Sequence, residues 1–247
     1  LIGSYTTNFA SSSAGRAKNV ITGVSKVDGT ILYPGEEFDL AKTVSPFTQE
    51  NGYELAGAYQ NGTVVESFGG GICQVATTLY NAVIRAELEI TMRFNHSMLV
   101  HYVEPSMDAA IAGNYKDLKF KNNLDAPVYI EGYCSGGIIY FNVYGKETRP
   151  SNREISFESE TVSKTDPKVQ FTMDASLTAG SVSVTQSGQS GCIAQLWKIV
   201  KVDGKQQSRD LFNKSNYQAT PKLITIGTKD ATSETLSALK AAIATGD

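Results

Sequence analysis

Residues 68–81 read FGGGICQVATTLYN: three glycines run into Cys73 and then into a stretch with helical spacing. Val75, Leu79, Ala82, Val83 and Ala86 fall on one stripe, which predicts an amphipathic helix whose first turn lies on or just after Cys73. A free thiol is a weak nucleophile at neutral pH because its pKa sits near ~8.5, and a helix N-terminus or a nearby imidazolium lowers it. Both aids are within reach. The unpaired N–H groups and positive dipole end of such a helix would face the sulfur, and would stabilise an oxyanion if the thiolate attacked a carbonyl. His96 follows after enough chain for one helix and a returning strand, a candidate partner in a nucleophile–base pair. A third group should orient the imidazole, and Asp108, Asp117 or a backbone carbonyl are the candidates. Gly69, Gly70 and Gly71 carry no Cβ, so a peptide could lie against their backbone.

The same residues admit a plainer reading, because glycine-rich turns often precede helices and unpaired cysteine is among the most buried residue types. The glycine triplet resembles a phosphate cradle, but no Gly-Lys-Ser/Thr follows, so a P-loop is excluded. Cys73, Cys134 and Cys192 make an odd count, so at least one thiol is unpaired within the chain. With His96 and His101 the only histidines, Cys and His are too sparse for structural zinc, and neither metal nor cofactor is expected. His101 reads as a surface or strand residue. A net charge of -3, with no Lys/Arg cluster, supplies no footprint for nucleic acid. No apolar run reaches the ~18 residues a membrane span requires. The chain starts at Leu1 and reads as an excerpt, with any export signal or anchor expected upstream.

The elements that must position these groups are read from pattern. Ser11 to Ser13 can cap a helix carrying Ala17, Val20, Ile21 and Val24 on one face. Asp28-Gly29 and Pro34-Gly35 read as turns, and Gly52, Gly57 and Asn61-Gly62 punctuate short segments. Ile90 to Met92 begin a strand delivering His96 to Val103. LKFKN, PVYIEGY and IIYFNVYG predict a three-stranded meander. Composition turns polar around Lys146 to Arg153, where a domain boundary is expected, and short alternating runs beyond it describe a small all-β module. The expected fold is α+β: a cysteine-bearing helix packed on a small antiparallel sheet in residues 1–148, then an elongated all-β module in 149–230. Residues 231–247 form a tail or short helix.

Four strings occur in order: FGGGICQVATTLYNAVI, NHSMLVHYV, EPSMDAAI and DLKFKNNLDAPVYIEGY, with YPGEEFDL and ENGYELAGAY upstream. Together they resemble the VanW domain family over roughly residues 1–146. Two positions depart from it, Ala76 where serine is frequent and Asn95 where proline is frequent. The second module resembles the five-glycine domain of bacterial surface proteins, through Gly180, Gly188, Gly191, Gly204, Gly227 and the closing YQATPKLITIGT. The resemblance implies a peptidoglycan L,D-transpeptidase that works through a cysteine thioester, outside the cell and facing the wall. Cys73 would be the nucleophile and His96 its partner, with Asp108 orienting; Gly70, Gly71, Gln74, Ser97 and Tyr102 would contact substrate. Its partners would be stem peptides and, as a second class, glycan, with Trp197 and several tyrosines the only stacking candidates in a module read chiefly as a spacer. Tyr53, Phe68, Phe94 and Tyr102 are expected to roof a narrow cleft that keeps water from the thioester. The rival readings are a thiol carboxypeptidase or endopeptidase with the same dyad, and a non-catalytic wall-binding accessory protein of glycopeptide resistance in which Cys73 is structural.

Overall fold

The computed structural model describes residues 1–60, 63–113 and 115–245, leaving aside the side chains of 58–60, 63, 64 and 245; the Asn61-Gly62 turn lies outside the described residues. The first domain runs β1 (Gly3–Asn8), α1 (Ala14–Val27), β2 (Thr30–Leu32), β3 (Glu37–Asp39), α2 (Leu40–Val44), β4 (Leu55–Gln60), β5 (Thr63–Phe68), α3 (Ile72–Arg85), β6 (Glu89–Met92), β7 (Lys119–Lys121), β8 (Val128–Ser135) and β9 (Ile138–Tyr144). The second runs β10 (Arg153–Thr165), β11 (Val169–Thr178), β12 (Val182–Gln186), β13 (Gly191–Val202), β14 (Lys205–Tyr217) and β15 (Lys222–Lys229), and helix α4 (Ser233–Thr245) closes the chain.

Helix α3 is the centre of the first domain. Its apolar stripe and most of its polar positions are buried, from Ile72 through Ile84 apart from Cys73. One flank lies on the antiparallel sheet β1-β9-β8-β2, so closely that a Cβ at Gly3 would stand 2.5 Å from the Ala82 carbonyl. Helix α1 opens on Ser13, whose side chain accepts from the Arg16 N–H, and buries Val20, Val24 and Val27. It meets α3 at Gly23, where a Cβ would lie 2.6 Å from Ile72 Cδ1. Leu79, Phe141, Ile130 and Val143 fill the core between helices and sheet.

The expected meander is corrected. PVYIEGY and IIYFNVYG form the hairpin β8–β9, turning at Gly136-Gly137, but LKFKN becomes β7 in a separate sheet, β3-β7-β6. The Asn122 side chain redirects the chain by donating to the Leu32 and Ala126 carbonyls and accepting from the Leu124 N–H. Phe120 then packs on Phe38 with ring centroids 5.1 Å apart, a partner local pattern does not name.

The second module divides into two three-stranded sheets, β10-β13-β14 and β11-β15-β12, the latter with β11 parallel to β15. Asp203 and Gly204, both at positive φ, close the β13–β14 hairpin. No helix among the described residues is long and apolar enough to cross a membrane.

Candidate functional site

Gly71 is the N-cap of α3 at φ +113° with no side-chain cap, so Cys73 sits in the first turn. The Ile72 and Gln74 N–H groups donate to the Gly69 and Gly71 carbonyls. The glycines are bare for packing. A Cβ at Gly70 would stand 2.7 Å from the Ala56 carbonyl, and one at Gly71 would stand 3.0 Å from Val20 and 3.1 Å from Arg16 Cγ. Those backbones still border the cavity described below, but the absence of side chains there lets β4 and α1 close on the turn.

Cys73, Thr77 and Asn81 share one face of α3 and dock onto the extended segment 107–111. Asn81 Nδ2 donates to the Met107 carbonyl at 2.6 Å. Thr77 Oγ1 donates to the Ala109 carbonyl at 3.1 Å and accepts from its N–H at 3.0 Å. Cys73 Sγ lies 3.4 Å from the Ile111 carbonyl and 3.5 Å from its N–H. The match is metrical: four helical residues rise about 6 Å, and two extended residues about 6.6 Å. Every fourth side chain of the helix therefore meets every second residue of the segment, and Asp108 is turned the other way.

Asp108 is fully buried and its two oxygens have separate tasks. Oδ2 accepts from the His96 backbone N–H at 2.7 Å and pairs with His96 Nδ1 at 2.6 Å. Oδ1 accepts from Arg93 Nη2 at 2.9 Å and from the Tyr217 hydroxyl at 2.5 Å. His96 lies close enough to Cys73 for each to shift the other's pKa. Burial alone would raise the Cys73 pKa, but the His96 hydrogen bond and charge, with the Ile111 N–H, lower it below its ordinary value. Burial opposes the charged imidazole too, yet Asp108 and Cys73 raise His96 to about 9. Cys73 is thus biased toward the thiolate and His96 toward the imidazolium, with the Asp108 carboxylate behind the ring. Burial pushes Cys134 up to about 11, and it pushes Cys192 upward against the opposing Lys164 charge.

Cys73, a partly exposed residue, lines a cavity of about 510 Å³. Ser97 and Tyr102 line it, as do Phe68, Phe47, Tyr115 and Lys116. Two roofing expectations are corrected. Tyr53 is a core residue, fully buried, with its hydroxyl on the Val44 carbonyl and its ring edge against Phe47, which takes the cavity position instead. The Phe94 ring is exposed outside the cavity lining, and its carbonyl accepts from the Ala110 N–H. Gln74 borders the cavity but is buried, its amide committed to Thr7, Asn8 and Arg16. Asp117 is not the orienting group: it accepts from the Ala41 and Leu118 N–H groups, far from the imidazole in hydrogen-bond terms. Among the described residues no cluster of His, Cys, Asp or Glu could hold a metal ion.

Sequence reading missed what the second module contributes. Besides Tyr217, Ser215 Oγ accepts from Arg93 Nη1 at 2.9 Å, and the 95–99 loop is stitched to the second module. Asn95 Nδ2 donates to the Asn216 carbonyl, the Gln218 N–H donates to the Ser97 carbonyl, and Gln189 Nε2 donates to the Leu99 carbonyl.

The family described as VanW like protein matches residues 15–144, more than half of the chain. The chain belongs to the VanW-like family. A G5 domain matches residues 157–229, so a VanW-like domain is followed by a G5 domain. The uncharacterized protein YoaR of Bacillus subtilis is 35% identical over 146 residues, 59% of this chain and 48% of its own length. The vancomycin B-type resistance protein VanW of Enterococcus faecalis is 26% identical over 118 residues, 45% of this chain and 42% of its own. The chain thus spans less than half the length of these curated relatives. An IgA1 protease G5 domain structure aligns with 32% of this chain and 94% of its own at 26% identity, with a TM-score of 0.22. At that score the alignment adds nothing to the architecture seen here.

Proposed function

We propose that the VanW-like domain is a cysteine acyltransferase, an L,D-transpeptidase that joins peptidoglycan stem peptides at the outer face of the cell. The observation that supports this reading is the Asp108–His96 pair acting on Cys73, with Cys73 and His96 both lining one cavity. The Cys73 thiolate attacks the carbonyl of the donor's third residue, forming a C–S bond. The C–N bond then breaks, and the leaving amine takes its proton from the His96 imidazolium. An acceptor amine next attacks the thioester, gives its proton to neutral His96, and restores the thiolate as the C–S bond breaks. The Cys73 N–H, for which the described residues offer no acceptor, is the amide we assign to the oxyanion. The G5 domain and a relative named for vancomycin resistance support a cell-wall setting.

Alkylation by iodoacetamide followed by peptide mapping tests the site directly. Cys73 should react first at pH 7, well ahead of Cys134, because its thiolate forms below the ordinary cysteine pKa. Transfer needs the imidazolium as acid, so turnover should fall as pH rises through about 9. Dimeric muropeptides would mark transfer, and trimmed monomers would make the enzyme a hydrolase. Cys73 reacting no faster than Cys134, or Cys73→Ala retaining activity, would overturn the reading.

A further inference from the structure

We propose that Arg16 is a carboxylate-binding residue of the cavity, taking the free α-carboxylate of the residue that leaves the donor peptide, and that Gln74 aims it. This deepens the peptide-substrate reading above and rests on it. Arg16 stands in the first turn of α1, and its stem crosses the Gly71 N-cap of the cysteine helix, where any side chain at 71 would press on it. Its guanidinium is held by two neutral acceptors, Ser12 Oγ at 2.6 Å from Nη1 and Gln74 Oε1 at 2.9 Å from Nη2. These fix the plane without neutralising the charge.

The orientation of Gln74 is forced. Its Nε2 donates to the Asn8 carbonyl at 2.8 Å, a group that can only accept, and lies 3.1 Å from Thr7 Oγ1. The amide oxygen must therefore face Arg16, and at 1% exposure the side chain has nowhere else to turn. Arg93, Arg149, Arg153 and Arg209 each meet a carboxylate, whereas Arg16 and Arg85 meet none among the described residues, and of these two only Arg16 lines the cavity. Nor does any described Asp or Glu line the cavity, while His96 and Lys116 add positive charge to it. The Tyr102 hydroxyl feels both the Cys73 and the Arg16 charges, which places the guanidinium in the electrostatic neighbourhood of the sulfur. A planar cation with free N–H groups, preset beside a nucleophile in a cavity that no described carboxylate lines, is suited to a carboxylate. In a donor that expels its last residue, that carboxylate lies one residue beyond the attacked carbonyl.

The test is calorimetric titration of the full chain carrying Cys73→Ala with a stem tetrapeptide ending in D-alanine, and with the same peptide amidated at its C-terminus. The acid should bind about ten-fold more tightly than the amide. Adding Arg16→Gln should bring the ratio close to one, Arg16→Lys should keep part of it, and melting curves verify the fold. Equal binding of acid and amide by the parent, or a preference that survives Arg16→Gln, overturns the carboxylate site and leaves the peptide reading standing. Failure of both peptides to bind overturns both readings. Should Arg16→Gln not fold, the parent ratio and Arg16→Lys still decide.

Discussion

The two sheets of the G5 module lie in different surroundings. The sheet β10-β13-β14 is pressed on the VanW-like domain: Leu196 joins that domain's core, Cys192, Ala194 and Tyr217 are buried, and Ser106 Oγ donates to the Ala194 carbonyl at 3.0 Å. The sheet β11-β15-β12 exposes Val169, Met173, Leu177, Val182 and Val184, and its side-chain hydrogen bonds include threonine pairs such as Thr172–Thr225. A thin module thus serves as a buttress on one half and as open surface on the other. Burial and shared hydrogen bonds separate the halves, and strand content does not.

The sharpest way to break that contrast is through packing. Leu196→Ala should cost about 2–5 kcal/mol, since a fully buried side chain leaves a cavity in the core common to both domains. Val184→Ala, at a position 54% exposed, should stay within about 0.5 kcal/mol. Denaturant midpoints of the two variants measure this, and equal shifts would erase the distinction between the sheets.

Next comes the hydrogen bond that reaches Asp108. Tyr217→Phe removes a buried hydroxyl that donates to Asp108 Oδ1 and accepts the Ser106 N–H at 2.7 Å. Two polar groups lose a partner, which should cost about 1–3 kcal/mol. Asp108 is also freed to rotate away from His96, so Cys73 alkylation at pH 7 should slow several-fold. Thr185→Val on the other sheet, where the hydroxyl bonds only within the sheet, should leave the alkylation rate alone. A Tyr217→Phe protein that melts lower but alkylates at the parent rate would reduce Tyr217 to a structural contact.

These contacts mark where sequence reading stops. Helices α1 and α3 were legible because their apolar stripes repeat locally, at Ala17, Val20 and Val24 and again at Val75, Leu79 and Val83, whereas the short α2 was not read. The β8–β9 hairpin was legible from Gly136-Gly137 between two β-rich runs. Strand identity was legible for LKFKN too, but pairing was not, because alternation marks a buried face without naming the neighbour. Asp108 and Asp117 looked equivalent, and only the docking of segment 107–111 along α3 turns Asp108 toward His96. Tyr217 stood in the string YQATPKLITIGT, legible as part of its own module, while its hydroxyl serves a carboxylate in the other domain. Contacts between distant segments leave no periodic trace in either one.

The smallest effect lies at the rim of the buttress and depends on pH. Glu87, just past the end of α3, meets Arg153 at 2.6 Å and Lys198 at 2.5 Å from β10 and β13. Burial would raise its pKa, but the hydrogen bonds and charges of Arg153 and Lys198 lower it from 4.5 to about 2. A carboxylate with a depressed folded pKa contributes stability that is complete above its unfolded value and vanishes as pH falls through the folded one. The contact should therefore hold fully above about pH 4.5 and be lost on the way down to about 2. Partial exposure limits its worth to on the order of 1 kcal/mol. Glu87→Gln should lower stability by that amount at pH 7 and flatten the acid limb between pH 4.5 and 2, relative to the parent. Because Arg153 and Lys198 tie Glu87 to the buttressing sheet and not to the other, cleavage by an acid-active protease should rise first in β10 and β13 as pH falls from about 4.5 to about 2, ahead of β11 and β12. Uniform acceleration across both sheets would show that the two halves of the module loosen together.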